Sequence, residues 1–120
     1  MHALETPQEV QVWYVIPAIR RQMAREMLSR GLKQKEIALK LNITEAAVSQ
    51  YLNSKRASSV KLTDAGKNTI RDAVSSMIDG TADFNSEVQR LLHLMLEDKT
   101  MCHICQAHTS APKSCRACFD

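Results

Sequence analysis

One stretch of the chain, from Gln34 to Asn53 (QKEIALKLNITEAAVSQYLN), constrains the fold more than any other. Its first half places Ile37 and Leu41 on one helical face. Asn42 follows, and asparagine tolerates the left-handed backbone on which helices often end. Thr44 stands where a second helix needs an N-cap, because its hydroxyl can accept a backbone N–H. The pattern predicts two short helices joined by a tight turn.

The second of these helices has an apolar face, with Val48 and Leu52, and a polar outer face. An ordinary helical hairpin explains the apolar spacing, the turn and the cap, but not this polar face or the Lys55-Arg56 pair that follows it. We therefore interpret the stretch as a helix-turn-helix that binds double-stranded DNA. Ser49, Gln50 and Asn53 are the predicted contacts to base edges, with Thr44, Glu45 and Ala46 nearby, and Lys55 and Arg56 are the predicted phosphate contacts.

The stretch resembles the lambda-repressor-like (Xre-type) helix-turn-helix. The wider segment over residues 12–56, from VWYVIPAIRR to YLNSKR, resembles a group of small archaeal transcriptional regulators that couple this domain to a cysteine-rich C-terminus. The resemblance implies that Gln34 braces the recognition helix and touches the DNA backbone. Two positions depart from the family pattern: Asn42 stands where glycine is usual, and Glu45 stands where such helices often carry glutamine.

Positive charge is concentrated in the same half of the chain. Residues 1–62 carry ten Lys and Arg against five Asp and Glu, whereas residues 63–120 carry six against eight. A basic surface suits a phosphate backbone. One or two members of an arginine group on the helix before the motif are expected to contact phosphates. The group comprises Arg20, Arg21, Arg25 and Arg30.

The remaining periodicity predicts an all-α protein. Residues 9–62 form the predicted DNA-binding domain, residues 63–100 a pair of amphipathic helices, and residues 101–120 a metal-binding tail. The segment Glu9–Ile16 could be a strand by composition, but a short helix is preferred because no partner strand is apparent. Trp13 is expected to anchor the core or a dimer contact. A homodimer is expected, with the helical pair contributing, because such proteins bind two half-sites.

All four cysteines lie near the end of the chain, in two C-x-x-C pairs: Cys102, Cys105, Cys115 and Cys118. Two such pairs at short separation can place four sulfurs on one metal ion or cluster. A tail this short has almost no core of its own, so a metal cross-link is expected to hold it. His103 and His108 are more typical of neighbouring groups than of ligands when four cysteines are present.

Three chemistries fit this spacing. The preferred one is an iron–sulfur cluster, 4Fe-4S or 2Fe-2S, with four thiolate ligands. Structural Zn²⁺ is the second, although neither pair is followed by the glycine usual in a zinc knuckle, since Gln106 and Phe119 stand there. The third is a thiol–disulfide switch without metal. With the cluster, the protein is expected to sense redox state, oxygen or iron through a change in dimer geometry.

Other classes of protein are disfavoured. No apolar run is long enough to cross a bilayer, and the N-terminus does not resemble a signal peptide, so a cytoplasmic location is expected. No nucleophile–base pair, phosphate loop or pair of acids indicates an enzyme, and no small-molecule substrate is expected. The alternatives kept open are a constitutive regulator with structural zinc and an antitoxin-type repressor that binds a protein partner.

Overall fold

The computed structural model describes residues 6–53 and 60–109, together with Cys115, Arg116 and Cys118. In this part of the chain all regular structure is helical, which confirms the predicted all-α class. The helices are α1 (Pro7–Val10), a π-helical turn (Gln11–Val15), α2 (Ile16–Ser29), α3 (Gln34–Leu41), α4 (Glu45–Asn53), α5 (Asp64–Asp79), α6 (Phe84–Glu97) and α7 (Thr100–His108).

The N-terminal segment is helical, as preferred over a strand, and continuous from α1 into α2. The Thr6 hydroxyl caps α1 by accepting a hydrogen bond from the Glu9 N–H. The Glu9 carboxylate in turn accepts a hydrogen bond from the Thr6 N–H at 3.2 Å. The π-helical turn that follows α1 has a local cause. Pro17 has no N–H to donate to the carbonyl four residues before it, and its ring crowds that carbonyl. The Ile16 N–H instead bonds to the Gln11 carbonyl, five residues back.

The predicted left-handed end of α3 is confirmed, and similar local features begin or end other helices. Asn42 is left-handed at φ 57°, and Gly31 and Gly80 follow α2 and α5 with φ of 91° and 80°. Thr63 accepts from the Gly66 N–H at 3.0 Å and Asp83 from the Ser86 N–H at 2.8 Å. These interactions join residues only three positions apart, which is why the local sequence predicts them.

One apolar core runs through the described helices. The helix α2 lies at its centre and contacts α3, α4 and α5, while α7 packs against α6 and α1. The core residues of α2 are Ala18, Ile19, Met23, Ala24 and Met27. Met101 and Ile104 of α7 belong to the same core. The expectation that only a metal would hold the C-terminal segment was therefore wrong for its first part, because α7 is held by apolar burial.

Two apolar side chains are more exposed than a position in the core would allow. Trp13 is 62 % exposed, so it is not a core anchor, although a dimer contact stays a prediction. Leu28 is 47 % exposed even though its spacing matches the apolar stripe of α2. Tyr51, by contrast, is buried although the predicted apolar face of that helix comprises only Val48 and Leu52. None of the described helices has the length and apolar character needed to cross a membrane.

Candidate DNA-binding surface and cysteine cluster

The second helix of the motif, α4, buries one face and exposes a polar face, as the sequence predicts. Thr44 accepts the Ala47 N–H at 3.1 Å and so caps its first turn. Val48 and Tyr51 are buried beneath it, and Leu52 packs partly against the core. The opposite face is polar. Burial of one face therefore fixes which side chains of α4 point away from the domain.

The predicted base contacts lie together on that outer face. Gln50 and Asn53 are exposed and Ser49 is half-buried. The Asn53 amide donates to the Ser49 hydroxyl at 3.2 Å, which orients both groups. Thr44, Glu45 and Ala46 are exposed at the start of the helix. Such an array of amide and hydroxyl groups can donate to and accept from base edges in a major groove.

The structure describes only some of the residues predicted to contact the DNA backbone. Gln34 is the first residue of α3 and is exposed. Lys55 and Arg56 lie outside the described residues. The family-based role of Gln34 and the phosphate role of the basic pair stay predictions.

Two basic side chains, Lys40 on α3 and Arg30 at the end of α2, donate hydrogen bonds to α5. Lys40 Nζ donates to the Met77 carbonyl at 3.2 Å. Arg30 donates to the Ser75 hydroxyl at 2.6 Å and to the Arg71 carbonyl at 3.0 Å. Arg30 also pairs with Glu26 at 2.9 Å. Arg30 therefore holds the end of α2 against α5. The sequence identifies it only as a member of an arginine group that could contact phosphates.

A family model described as helix-turn-helix matches residues 22–62, which include α3, the turn and α4. The match covers the two helices whose geometry is described above and most of α2. These residues form a helix-turn-helix domain of the Xre type. The match supports a DNA-binding transcriptional regulator. Searches of the curated proteins and of the solved structures found no match.

The helix-turn-helix domain is connected through the core to the cysteine-bearing helix α7. Cys102 and Cys105 lie one turn apart on α7, both half-buried. The left-handed residue Lys99, at φ 64°, turns the chain between α6 and α7. The Asp98 carboxylate accepts the Thr100 N–H at 2.9 Å at the same corner. These contacts set the direction in which the first C-x-x-C pair faces.

The second pair comes near the first. Burial raises the pKa of the Cys105 thiol, and the charges of Cys118, Cys102 and Cys115 raise it further. Burial also raises the pKa of Cys118, with added effects from Cys102 and Cys115. Charges act over a longer range than coordination bonds do. The cysteines are thus near enough for their charges to act on one another, but within the described residues no three His, Cys, Asp or Glu side chains are grouped closely enough to hold a metal ion.

Proposed function

We propose that the protein reads a specific DNA sequence with α4 and adjusts that binding through its four cysteines. The observation that carries the first part is the exposed polar face of α4, fixed in direction by the burial of Val48 and Tyr51 on the other side. Gln50 and Asn53 are the proposed readers of adenine, because a carboxamide can accept from the N6 amino group with its oxygen and donate to N7 with its amide nitrogen. Ser49 positions Asn53 through their hydrogen bond.

Two copies of the chain are proposed to bind one operator. The exposed apolar residues Val12 and Trp13, together with Leu94 on α6, are available for contacts between copies. Two recognition helices separated by one turn of DNA would then read two half-sites. The dimer is part of the proposal because a single short helix rarely supplies enough contacts for specific binding.

Substitution Gln50→Ala is expected to cost about 1–3 kcal/mol of discrimination at one base pair of the half-site, because one bidentate contact is lost. The operator is first selected from random DNA with the full-length protein, and affinities are then measured on duplexes changed at each position. The wild-type protein should bind with two chains per duplex. The matched control is Gln89→Ala, since Gln89 is an exposed glutamine of α6. Uniform weakening across all duplexes would assign Gln50 to the DNA backbone instead.

The second part of the proposal concerns metal. Cys102, Cys105, Cys115 and Cys118 would hold an iron–sulfur cluster, because they supply the four thiolates such a cluster requires and lie near enough for their charges to act on one another. A bound cluster would supply one-electron redox chemistry and sensitivity to oxygen. Lys99 and Asp98 direct the first pair, and the buried part of Cys105 contacts the core. A Zn²⁺ ion on the same four residues is the second candidate.

The packing of α7 gives a route from the cysteines to DNA. The helix α7 touches α1, and α1 continues through the π-helical turn into α2, the central helix of the DNA-binding domain. A shift of α7 would therefore reach α2 without passing through solvent. Because Met101 and Ile104 already hold α7 in the core, a metal is not needed to fold this helix. That favours a responsive role over a purely structural one.

Protein purified without oxygen is expected to contain iron and acid-labile sulfide and to absorb visible light. Removal of the cluster is expected to change operator affinity at least tenfold, which corresponds to the lower range of typical coupling energies, about 1–3 kcal/mol. The variant Cys105→Ser should lose the absorption, while His103→Ala on the same helix should keep it. Equal operator binding by loaded and stripped protein would exclude the sensing role, and one zinc per chain without colour would make the site structural.

A further inference from the structure

A second group of basic side chains surrounds a cavity of about 300 Å³ at the junction of α2, α5 and the segment before α5. Arg21 and Arg25 reach it from α2, Lys67 from α5, and Lys61 from the preceding segment. Ala18 and Leu62 contribute apolar wall. The described lining residues include no Asp or Glu. The volume is at the lower end of the range typical of small-ligand sites.

The charges around this cavity are not compensated within the described part of the chain. There, none of the four side-chain cationic groups has a hydrogen-bond or ion-pair partner. The Arg21 Nε atom is buried and also lacks a partner. Burial lowers the pKa of Arg21, and the neighbouring charge of Arg25 lowers it further. A buried donor without a partner and like charges held together both raise the energy of the folded state.

Two nearby arginines, Arg20 on α2 and Arg30 just after its last residue, have interaction partners of their own, although the Nε atom of Arg20 is also buried without a hydrogen bond. Arg20 lies over the ring of Phe84, with its guanidinium carbon 4.9 Å from the ring centroid. Arg30 has a carboxylate, a hydroxyl and a carbonyl as partners. Arg21 and Arg25 differ from them in facing the cavity. Arg20 and Arg30 are thus engaged by other parts of the protein, whereas Arg21 and Arg25 line the cavity, where a bound anion would compensate their charge.

We propose that the cavity formed by Arg21, Arg25, Lys61 and Lys67 binds a phosphate group, either of a small phosphorylated molecule or of the DNA backbone. Phosphate oxygens accept several hydrogen bonds at once, and the guanidinium fork of Arg21 matches that geometry. Four positive charges suit an anion that carries more than one negative charge better than a single carboxylate. Only the DNA alternative rests on the proposed DNA-binding function.

The first test uses inorganic pyrophosphate as the probe and the full-length protein. At a free concentration of roughly ten times its dissociation constant, pyrophosphate is expected to raise the unfolding midpoint of the protein by about 5–10 °C. Arg21→Gln and Lys67→Gln should each weaken pyrophosphate binding about tenfold by calorimetry. The matched control Arg71→Gln removes the same charge at an exposed residue of α5 outside the cavity and should stay within twofold. Sodium chloride of equal ionic strength controls for general screening.

The unfolding midpoints of the variants, measured without pyrophosphate, show whether the substitutions disturb the fold. Because each substitution removes a charge from a group of like charges, the unfolding midpoints of Arg21→Gln and Lys67→Gln should equal or exceed that of the wild type. A purely structural role for these side chains predicts the opposite, a lower midpoint without ligand. That result, with pyrophosphate binding unchanged, would overturn the proposal.

The second test separates the two sources of phosphate. If the DNA backbone occupies the cavity, pyrophosphate has no effect and each variant weakens binding to duplex DNA of any sequence. Each should also reduce the slope of log affinity against log salt by about 1, while Arg71→Gln does not. If neither pyrophosphate nor DNA distinguishes the cavity variants from the control, the proposal fails. A protein that binds no DNA but binds pyrophosphate in this way would refute the proposed DNA-binding function and keep the phosphate site.

Discussion

Substitution Leu41→Ala is expected to lower the free energy of unfolding by about 2–5 kcal/mol, whereas Leu39→Ala should change it by less than about 0.5 kcal/mol. The two leucines are two residues apart on α3. Leu41 is 0 % exposed and Leu39 is 73 % exposed. The same chemical change therefore removes buried contacts and leaves a cavity at one position, and removes only solvated methyl groups at the other.

This pair tests the orientation of α3 in the DNA-binding domain. Urea unfolding followed by circular dichroism gives both free energies, and an unchanged dependence on urea concentration indicates that the denatured state is the same. The Leu41 variant should also bind DNA poorly, since α4 packs against α3. Similar losses for both leucines would mean that α3 is buried on two sides, for example beneath a second copy of the chain. Repeating the measurement at several protein concentrations identifies that case.

Substitution Met101→Ala is expected to cost about 2–5 kcal/mol as well, because Met101 is 0 % exposed although it belongs to the cysteine-bearing segment. His103, which is exposed on the same helix, provides the control, and His103→Ala should change stability by less than about 0.5 kcal/mol. The contrast depends on α7 being part of the common core. A C-terminal segment held only by metal would make the two variants alike in metal-free protein.

The measurement should be made on metal-free protein, so that metal binding does not add to the free energy of unfolding. Fluorescence of Trp13 near the N-terminus and circular dichroism of the whole chain should show the same unfolding midpoint if α7 and the rest of the chain unfold together. Two separate transitions, with only the smaller one shifted by Met101→Ala, would show that α7 is an independent unit. The proposed route from the cysteines to α2 would then have no structural basis.

Local features account for most of what the sequence predicts correctly. The left-handed Asn42, the Thr44 and Thr63 caps and the alternation of buried and exposed residues on α5 each depend on residues no more than a turn or two away. The polar outer face of α4 follows from the same periodicity. The C-x-x-C spacing also identifies four candidate ligands, although their chemistry stays a prediction.

Other features depend on which helices meet, and periodicity does not contain that information. Leu28 has the spacing of a core residue but falls beyond the surface that α2 buries. Tyr51 is buried although it directly follows a glutamine that is exposed on the outer face of α4. The four arginines of α2 are alike in the sequence. Contacts with Phe84 and with α5 separate Arg20 and Arg30 from the pair that lines the cavity.

The sequence by itself determined the helical class, the helix-turn-helix and the ends of most helices, because short-range hydrogen bonds and amphipathic spacing specify these. Only the tertiary structure decided that Trp13 is exposed and that Met101 and Ile104 tie the cysteine helix to α1 and α6. It also decided that four cations without a partner among the described residues surround one cavity. The physical reason is distance along the chain. These outcomes depend on contacts between residues tens of positions apart, and such contacts exist only once the helices have packed.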